Sequence, residues 1–279
     1  MLFFGLETEN RIRMKRYRNL VFMLLVAAMT FVSCGKEGII DPAKGDGNGH
    51  GGTEVEYTVD QYGYATYEYE GFTFKIKASV VKTEAAQKAV AHMKSDLKHI
   101  ISFVPEKALK IMKGKPIWME ENNTQNPSAA WYHTWAEYPT TYGDLAAKGK
   151  CVEITNYNYY VDWSNRNQPY MVFHELCHLY HDQGLGGDSN ADIKNAYDHA
   201  KNTGLYKEIW YRSDASYTTE DKWTKTKDAY CMNTMWEYFS ELSEAYWGEN
   251  DYYPFNYMQL KEFDTVGFAM MEKIWGKRF

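Results

Sequence analysis

One short segment constrains the fold of this 279-residue chain more than any other feature, the His-Glu-Leu-Cys-His run at residues 174–178. Histidines at positions i and i+4 of an α-helix lie about 40° apart around its axis and about 6 Å apart along it, so His174 and His178 can bind one metal ion. Glu175 would then lie beside that ion, where it can take a proton from a metal-bound water. Apolar flanking residues and Pro169 predict a helix from Pro169 to about Asp182.

A second helix supplies candidates for a third ligand, which catalytic zinc sites require in addition to one open position. Residues 233–247 have helical apolar spacing, and Glu237 and Glu241 lie one turn apart on one face of that helix. We expect Glu237 to bind the metal ion and Glu241 to hydrogen-bond a ligating imidazole, which would fix its tautomer. Glu241, Glu244 and His181 remain alternative third ligands.

The N-terminus has the composition of a targeting segment. Residues 11–18 are strongly basic and residues 20–33 carry no charge, which is typical of a secretory signal peptide. The apolar run is shorter than the roughly 20 residues of a membrane span, and it ends at Cys34 in a context similar to a bacterial lipobox. We therefore predict a lipoprotein signal peptide over residues 1–33 and a lipid anchor on Cys34. The alternative is that an ordinary signal peptidase removes the signal peptide and that Cys34 stays unmodified.

The remaining chain divides into a tether and one domain. Residues 34–53 are Gly-rich and nearly free of large apolar side chains, which predicts a flexible tether. Composition is even over residues 54–279, which predicts a single domain of fold class α+β, because strand patterns come mostly first and helical patterns later. The other predicted elements are a hairpin within 57–81 around Glu70-Gly71, helices over 84–103, 190–202 and 257–275, and strands at 116–120 and 151–156.

Charge and cysteine content narrow the possible functions. The chain has 31 basic and 37 acidic residues and a net charge of −6, which argues against nucleic-acid binding. Three cysteines follow Cys34, so they cannot all pair, although one disulfide among Cys151, Cys177 and Cys231 remains open. Cys177 is expected to pack in the core rather than bind the metal ion, because it points away from the two histidines.

The two motifs together resemble the gluzincin metallopeptidases, in particular the anthrax lethal factor-like branch. In that branch a Tyr precedes the Glu ligand by seven residues, and the ligand begins an E-F-F-A-E run. Here Tyr230 precedes Glu237 by seven residues, and Glu237-Tyr-Phe-Ser-Glu241 follows. The chain is also similar to secreted lipoprotein metallopeptidases of Bacteroidetes-type bacteria, in the segments VEITN (152–156), QPYMVFHELCH (168–178) and EYFSELSEAYWGENDYYPF (237–255).

This resemblance implies a zincin-like metallopeptidase domain with a small N-terminal sheet, an active-site helix and a mainly helical C-terminal part. It implies that Zn²⁺ is held by His174, His178 and Glu237, with Glu175 as general base. Tyr230 would hydrogen-bond the substrate oxyanion.

The resemblance also implies a substrate and a location. The strand at Cys151–Thr155 would form the edge of the cleft and pair with an extended peptide or protein substrate, although it could equally be a core strand. The protein would be a monomeric zinc endopeptidase, anchored by lipid to the bacterial outer membrane and facing the periplasm or the cell surface. Two alternatives stay open: a glycan- or peptide-binding lipoprotein with a vestigial zinc site, and a zinc amidase acting on peptidoglycan.

Overall fold

The structure is a computed structural model that describes residues 57–125 and 128–278. The predicted signal peptide, the Cys34 lipidation site and the Gly-rich tether lie outside these residues. The described residues belong to one compact unit, residues 56–279. Within them, every helix is too short or too polar to cross a bilayer.

The described part of the chain contains eight α-helices and eight strands, in agreement with the prediction of a mixed α and β fold. The helices are α1 Glu84–Phe103, α2 Glu106–Met112, α3 Tyr157–Arg166, α4 Met171–Leu185, α5 Ala191–Thr203, α6 Met235–Trp247, α7 Tyr257–Phe263 and α8 Thr265–Trp275. The strands are β1 Thr58–Val59, β2 Tyr64–Tyr69, β3 Phe72–Lys77, β4 Ile117–Met119, β5 Ala130–Tyr132, β6 Val152–Ile154, β7 Trp210–Tyr211 and β8 Thr224–Lys225.

The predicted hairpin is confirmed as β2 and β3, which pair antiparallel. Glu70 and Gly71 connect the two strands with φ angles of 51° and 84°. Two consecutive left-handed residues form the type I′ turn, whose twist matches that of the flanking strands. Helix α1 also has its predicted bounds, and the side chain of Thr83 caps its first turn.

Two other helices differ from prediction at their ends. Helix α4 extends through Gly184 to Leu185 and ends at Gly186, which has the left-handed conformation of a C-cap. Gly184 therefore lies inside the helix, at a position where a Cβ would come within 2.5 Å of the Tyr180 ring. Helix α5 is capped by Asn190, whose side chain accepts from the backbone N–H of Ile193.

The larger sheet has the order β1-β2-β3-β4-β6-β5. Strands β3, β4 and β6 run parallel, whereas β5 runs antiparallel to β6 and forms the edge. The expectation that residues 151–155 form the cleft edge is therefore wrong, because β6 is paired on both sides. Of the strands in this sheet, β5 contacts α4 most extensively.

The hydrogen-bond register of β5 leaves part of its backbone facing away from the sheet. The backbone N–H of His133 donates to the Cys151 carbonyl, and the backbone N–H of Thr155 donates to the Ala129 carbonyl. These two bonds lie on either side of the Trp131–Glu153 pair. In an antiparallel ladder this arrangement directs the backbone groups of Trp131 toward β6. The N–H and C=O groups of Ala130 and Tyr132 therefore point outward from the edge.

The two faces of the sheet are covered differently. One face packs against helices α1 and α4 through alternate apolar side chains, such as Phe74 on β3 and Ile117 on β4. The segment from residue 133 to residue 150 covers the opposite face. Lys148, which belongs to this segment, is buried and only 1% exposed.

Lys148 pairs with a cluster of three carboxylates. Its Nζ lies 2.6 Å from Glu120 Oε1, 2.7 Å from Glu153 Oε1 and 2.9 Å from Asp144 Oδ2. Burial alone would raise the pKa of Glu153, but a hydrogen bond from His133 and the charge of Lys148 outweigh burial and lower this pKa to about 2. The cluster attaches the 133–150 segment to the sheet, next to the edge strand.

We predict that Lys148→Met destabilises the protein by about 3–5 kcal/mol, because it leaves buried carboxylates without their cation. Chemical denaturation at pH 7 measures this loss. Lys194→Met is the control, since Lys194 pairs with Asp198 on an exposed helix face and its loss should cost less than about 1 kcal/mol. Equal losses for the two variants would contradict the assigned role of Lys148.

Candidate metal centre

The candidate centre lies where α4 packs against α6 in antiparallel orientation. The side-chain contacts of α4 run in reverse order along α6: His174 meets Glu244, His178 meets Ser240, and His181 meets Trp236. Thr234 begins α6 by accepting a hydrogen bond from the backbone N–H of Glu237. The cap thus places Glu237 in the first turn of its helix, opposite the two histidines of α4.

Three side-chain atoms converge between these helices. Glu237 Oε2 lies 3.0 Å from His174 Nε2 and 3.3 Å from His178 Nε2. The two imidazole rings are 4.8 Å apart between centroids and nearly perpendicular, at 84°. His174, His178 and Glu237 therefore form a group that could hold a metal ion, and they are the same three residues that the sequence predicts as ligands.

Each histidine is oriented by a hydrogen bond to its second ring nitrogen. His174 Nδ1 lies 2.5 Å from Glu244 Oε1, which also accepts from the Gln168 side chain at 3.0 Å. His178 Nδ1 lies 3.1 Å from Ser240 Oγ. These contacts leave both Nε2 atoms directed toward Glu237, and fixing a histidine in this way is what a preorganised metal site requires.

The partner of His174 is not the one that the sequence predicts. Glu241 was expected to bond a ligating imidazole, but its carboxylate accepts from Asn250 Nδ2 at 3.1 Å. Antiparallel packing explains the difference, because it brings His174 to the C-terminal half of α6. There Glu244 lies two turns from Glu237 and only about 20° away around the helix axis, whereas Glu241 lies about 40° to the other side.

Of the two predicted catalytic residues, Tyr230 contacts a ligand residue and Glu175 is the sequence neighbour of one. Tyr230 begins the 3₁₀ turn Tyr230–Met232, and its hydroxyl donates to Glu237 Oε1 at 3.2 Å. Glu175 follows His174 on α4 and is half-buried, as are Tyr230 and Glu237. The half-buried residues give the centre an accessible side, while His174 and His178 lie on its buried side.

The electrostatics of the centre favour a charged carboxylate beside the imidazoles. Burial alone would raise the pKa of Glu237, but the charges and hydrogen bonds of His178 and His174 lower it well below its usual value. Burial alone would lower the pKa of His174, but the charge of Glu244 and the hydrogen bonds that the ring donates to Glu237 and Glu244 raise it well above its usual value. Removal of water raises the pKa of Glu175, which favours a proton on its carboxylate.

The alternative ligands have other partners. His181 is fully buried, with its Nε2 3.1 Å from the Gly187 carbonyl oxygen and its ring 4.4 Å from that of Trp236. Burial lowers the pKa of His181 to about 4, so it is neutral. The three cysteines in the described part of the chain are buried and free, and Cys177 packs in the hydrophobic core as expected.

Comparison with known proteins adds nothing to this geometry: no protein-family model, curated protein or solved structure matches the chain. The gluzincin resemblance therefore stays a prediction, which depends on the two motifs and on the placement of their residues.

We predict that Ser240→Ala weakens zinc binding by about 10-fold or more, because His178 loses the partner that orients its ring. Competition with a chromophoric chelator measures this affinity. Ser243→Ala is the matched control on the same helix, since Ser243 donates to the Phe239 carbonyl and accepts from Trp275. Unchanged affinity in Ser240→Ala, or an equal loss in the control, would show that Ser240 does not orient the ligand.

Proposed function

We propose that the protein is a zinc-dependent peptidase of the gluzincin type, with an α+β catalytic domain of the zincin kind. The observation that carries this proposal is the convergence of two imidazole nitrogens from α4 and one carboxylate oxygen from α6. A glutamate and a tyrosine hydroxyl adjoin them. With the lipid anchor predicted at Cys34, the enzyme would act on peptides or proteins at the bacterial envelope.

The donor set fits zinc. Two imidazoles and one carboxylate, with one open position, are typical of catalytic zinc sites. A tetrahedral zinc ion with bonds of about 2.0–2.1 Å needs donor atoms about 3.3 Å apart, and Glu237 Oε2 lies 3.0 Å and 3.3 Å from the two histidine nitrogens. Zinc bound there would supply a water of lowered pKa and a Lewis acid for the scissile carbonyl.

Glu175 and Tyr230 would have separate roles in the reaction. Glu175 takes a proton from the attacking water and passes it to the leaving amine. Its raised pKa suits this dual role, because a general acid–base works best when its pKa approaches the working pH. Burial raises the pKa of Tyr230 well above its usual value, so its hydroxyl keeps its proton and can donate to the oxyanion.

The edge strand β5 could bind substrate through its backbone. The outward N–H groups of Ala130 and Tyr132 and the C=O group of Tyr132 can pair with an extended peptide, as in the addition of a strand to a sheet. The Ala130 C=O group already accepts from the Ser128 hydroxyl at 3.1 Å. The side chain of Tyr132 is fixed to α4, because its hydroxyl donates to Asp182 Oδ2 at 2.6 Å. This contact keeps the edge strand beside the helix that carries both histidines.

Digestion of a diverse peptide library by the full chain tests the proposed reaction. We predict that the wild type cleaves peptides and that Glu175→Gln lowers the rate by about 10²–10⁴-fold while it retains zinc, because only the proton carrier is lost. Zinc content by elemental analysis is the control. Equal cleavage by both proteins would exclude Glu175 as general base, and no cleavage by the wild type would favour the amidase or the binding protein.

Substrate pairing has a separate test in Ala130→Pro, which removes one outward N–H and none of the bonds to β6. We predict that kcat/KM for peptides falls by about 3- to 10-fold, as expected for one hydrogen bond, with little change in the melting temperature. Trp131→Pro, which removes a bond within the sheet, should instead destabilise the fold. Unchanged peptide kinetics in Ala130→Pro would rule out strand pairing at this edge.

A further inference from the structure

A second group of buried carboxylates lies behind the candidate centre. Glu241 and Glu244 on α6 are 2% and 0% exposed, and Asp251 in the segment after α6 is 8% exposed. One oxygen each of Glu241 and Glu244 and one nitrogen of His174 lie within 4.8 Å of one another. Burial and the neighbouring charge of Glu244 raise the pKa of Asp251 to about 8.

This group lacks a cation like the one that contacts Glu120 and Glu153. Those two carboxylates both pair with the buried Lys148. Among the described residues, the ion pair of the second group is the one between Glu244 and His174. Buried carboxylates stay charged only when they are paired, so this group takes up either protons or positive charge from another source.

Arg212 is the nearest candidate for that charge, but its guanidinium is directed elsewhere. Its Nη1 pairs with the exposed Glu249 at 2.7 Å, and its Nη2 donates to the Asn250 carbonyl at 2.9 Å. The guanidinium lies 4.2 Å from the Phe255 ring centroid. Arg212 lowers the pKa of Asp251, but only as the smallest of several contributions.

Three buried oxygens of the group have no hydrogen-bond partner in the described part of the chain: Glu244 Oε2, Asn250 Oδ1 and Asp251 Oδ1. Asn250 contacts the group because its amide nitrogen donates to Glu241 Oε2 at 3.1 Å. Buried acceptors without partners are rare in native proteins. Carboxylate and amide oxygens are the ligands that hard divalent cations prefer.

We propose that Glu241, Glu244, Asn250 and Asp251 bind a second divalent cation of the calcium class, separate from the ion between His174, His178 and Glu237. His174 is not a ligand of this second ion, because its Nδ1 is hydrogen-bonded to Glu244 Oε1. Glu244 contacts both sites: one oxygen orients His174 and the other faces the second ion. This inference goes beyond the peptidase proposal and does not depend on it.

Calcium binding to the full chain tests the site. Calorimetry and elemental analysis should give one Ca²⁺ per chain, both in the wild type and in His178→Ala, in which the histidine site is disabled. At 100 times Kd, calcium should raise the melting temperature by about 5–10 °C. Asp251→Asn, a substitution of the same shape, should weaken calcium binding at least tenfold. Glu249→Gln is the control, because this neighbouring acid is exposed and pairs with Arg212.

Three results would overturn the site. The wild type could bind no Ca²⁺, which would mean that protons or waters satisfy the carboxylates. Calcium could bind the wild type but not His178→Ala, which would place it at the histidines. Calcium binding could also be equal in Asp251→Asn and the wild type. Loss of peptidase activity or of zinc alone would count against the peptidase proposal and leave the calcium site intact.

Discussion

The antiparallel contact between α4 and α6 is the interaction on which the candidate site depends. Neither helix holds a complete ligand set, because α4 supplies two imidazoles and α6 supplies the carboxylate. The same contact supplies the groups that orient the imidazoles, since Ser240 and Glu244 lie on the face of α6 that meets α4. A change in helix register by one residue would rotate these groups by about 100° and separate all of them from the histidines.

The sheet places a strand edge beside α4. Strand β5 runs antiparallel to its one neighbour, β6, and contacts α4, where Tyr132 and Lys150 both bond to Asp182. On the far face, Lys148 attaches the segment that follows β5 to the sheet through Glu120 and Glu153. The edge strand is thus fixed from both sides, which suits a surface that has to present backbone groups to a ligand.

Features of the chain that depend on local chemistry could be predicted from the sequence. The spacing of His174 and His178 and the turn at Glu70-Gly71 each act over a few residues, and the structure has them as expected. Strand β5 has three residues and no alternation to detect. Its role as the edge follows from pairing with β6, which is a long-range contact.

The difference between local and long-range contacts also explains why the sequence predicted Glu241 as the partner of a ligating imidazole, whereas the structure has Glu244 in that place. Both lie on the face of α6 that carries Glu237, so helical periodicity alone cannot choose between them. The choice follows from the direction in which α6 crosses α4, and this direction is set by tertiary packing. Asn250 and Asp251 lie beyond the helix, where periodicity gives no information about which side chains they meet.

X-ray absorption at the zinc K-edge of the purified full chain tests the central claim most directly. The account predicts one tightly bound zinc ion, with two imidazole ligands at about 2.0–2.1 Å and oxygen ligands at about 2.0–2.2 Å. Glu237→Ala should remove an oxygen ligand or abolish binding. A sulfur ligand at about 2.3 Å, a single imidazole, or a protein that binds no zinc would contradict it.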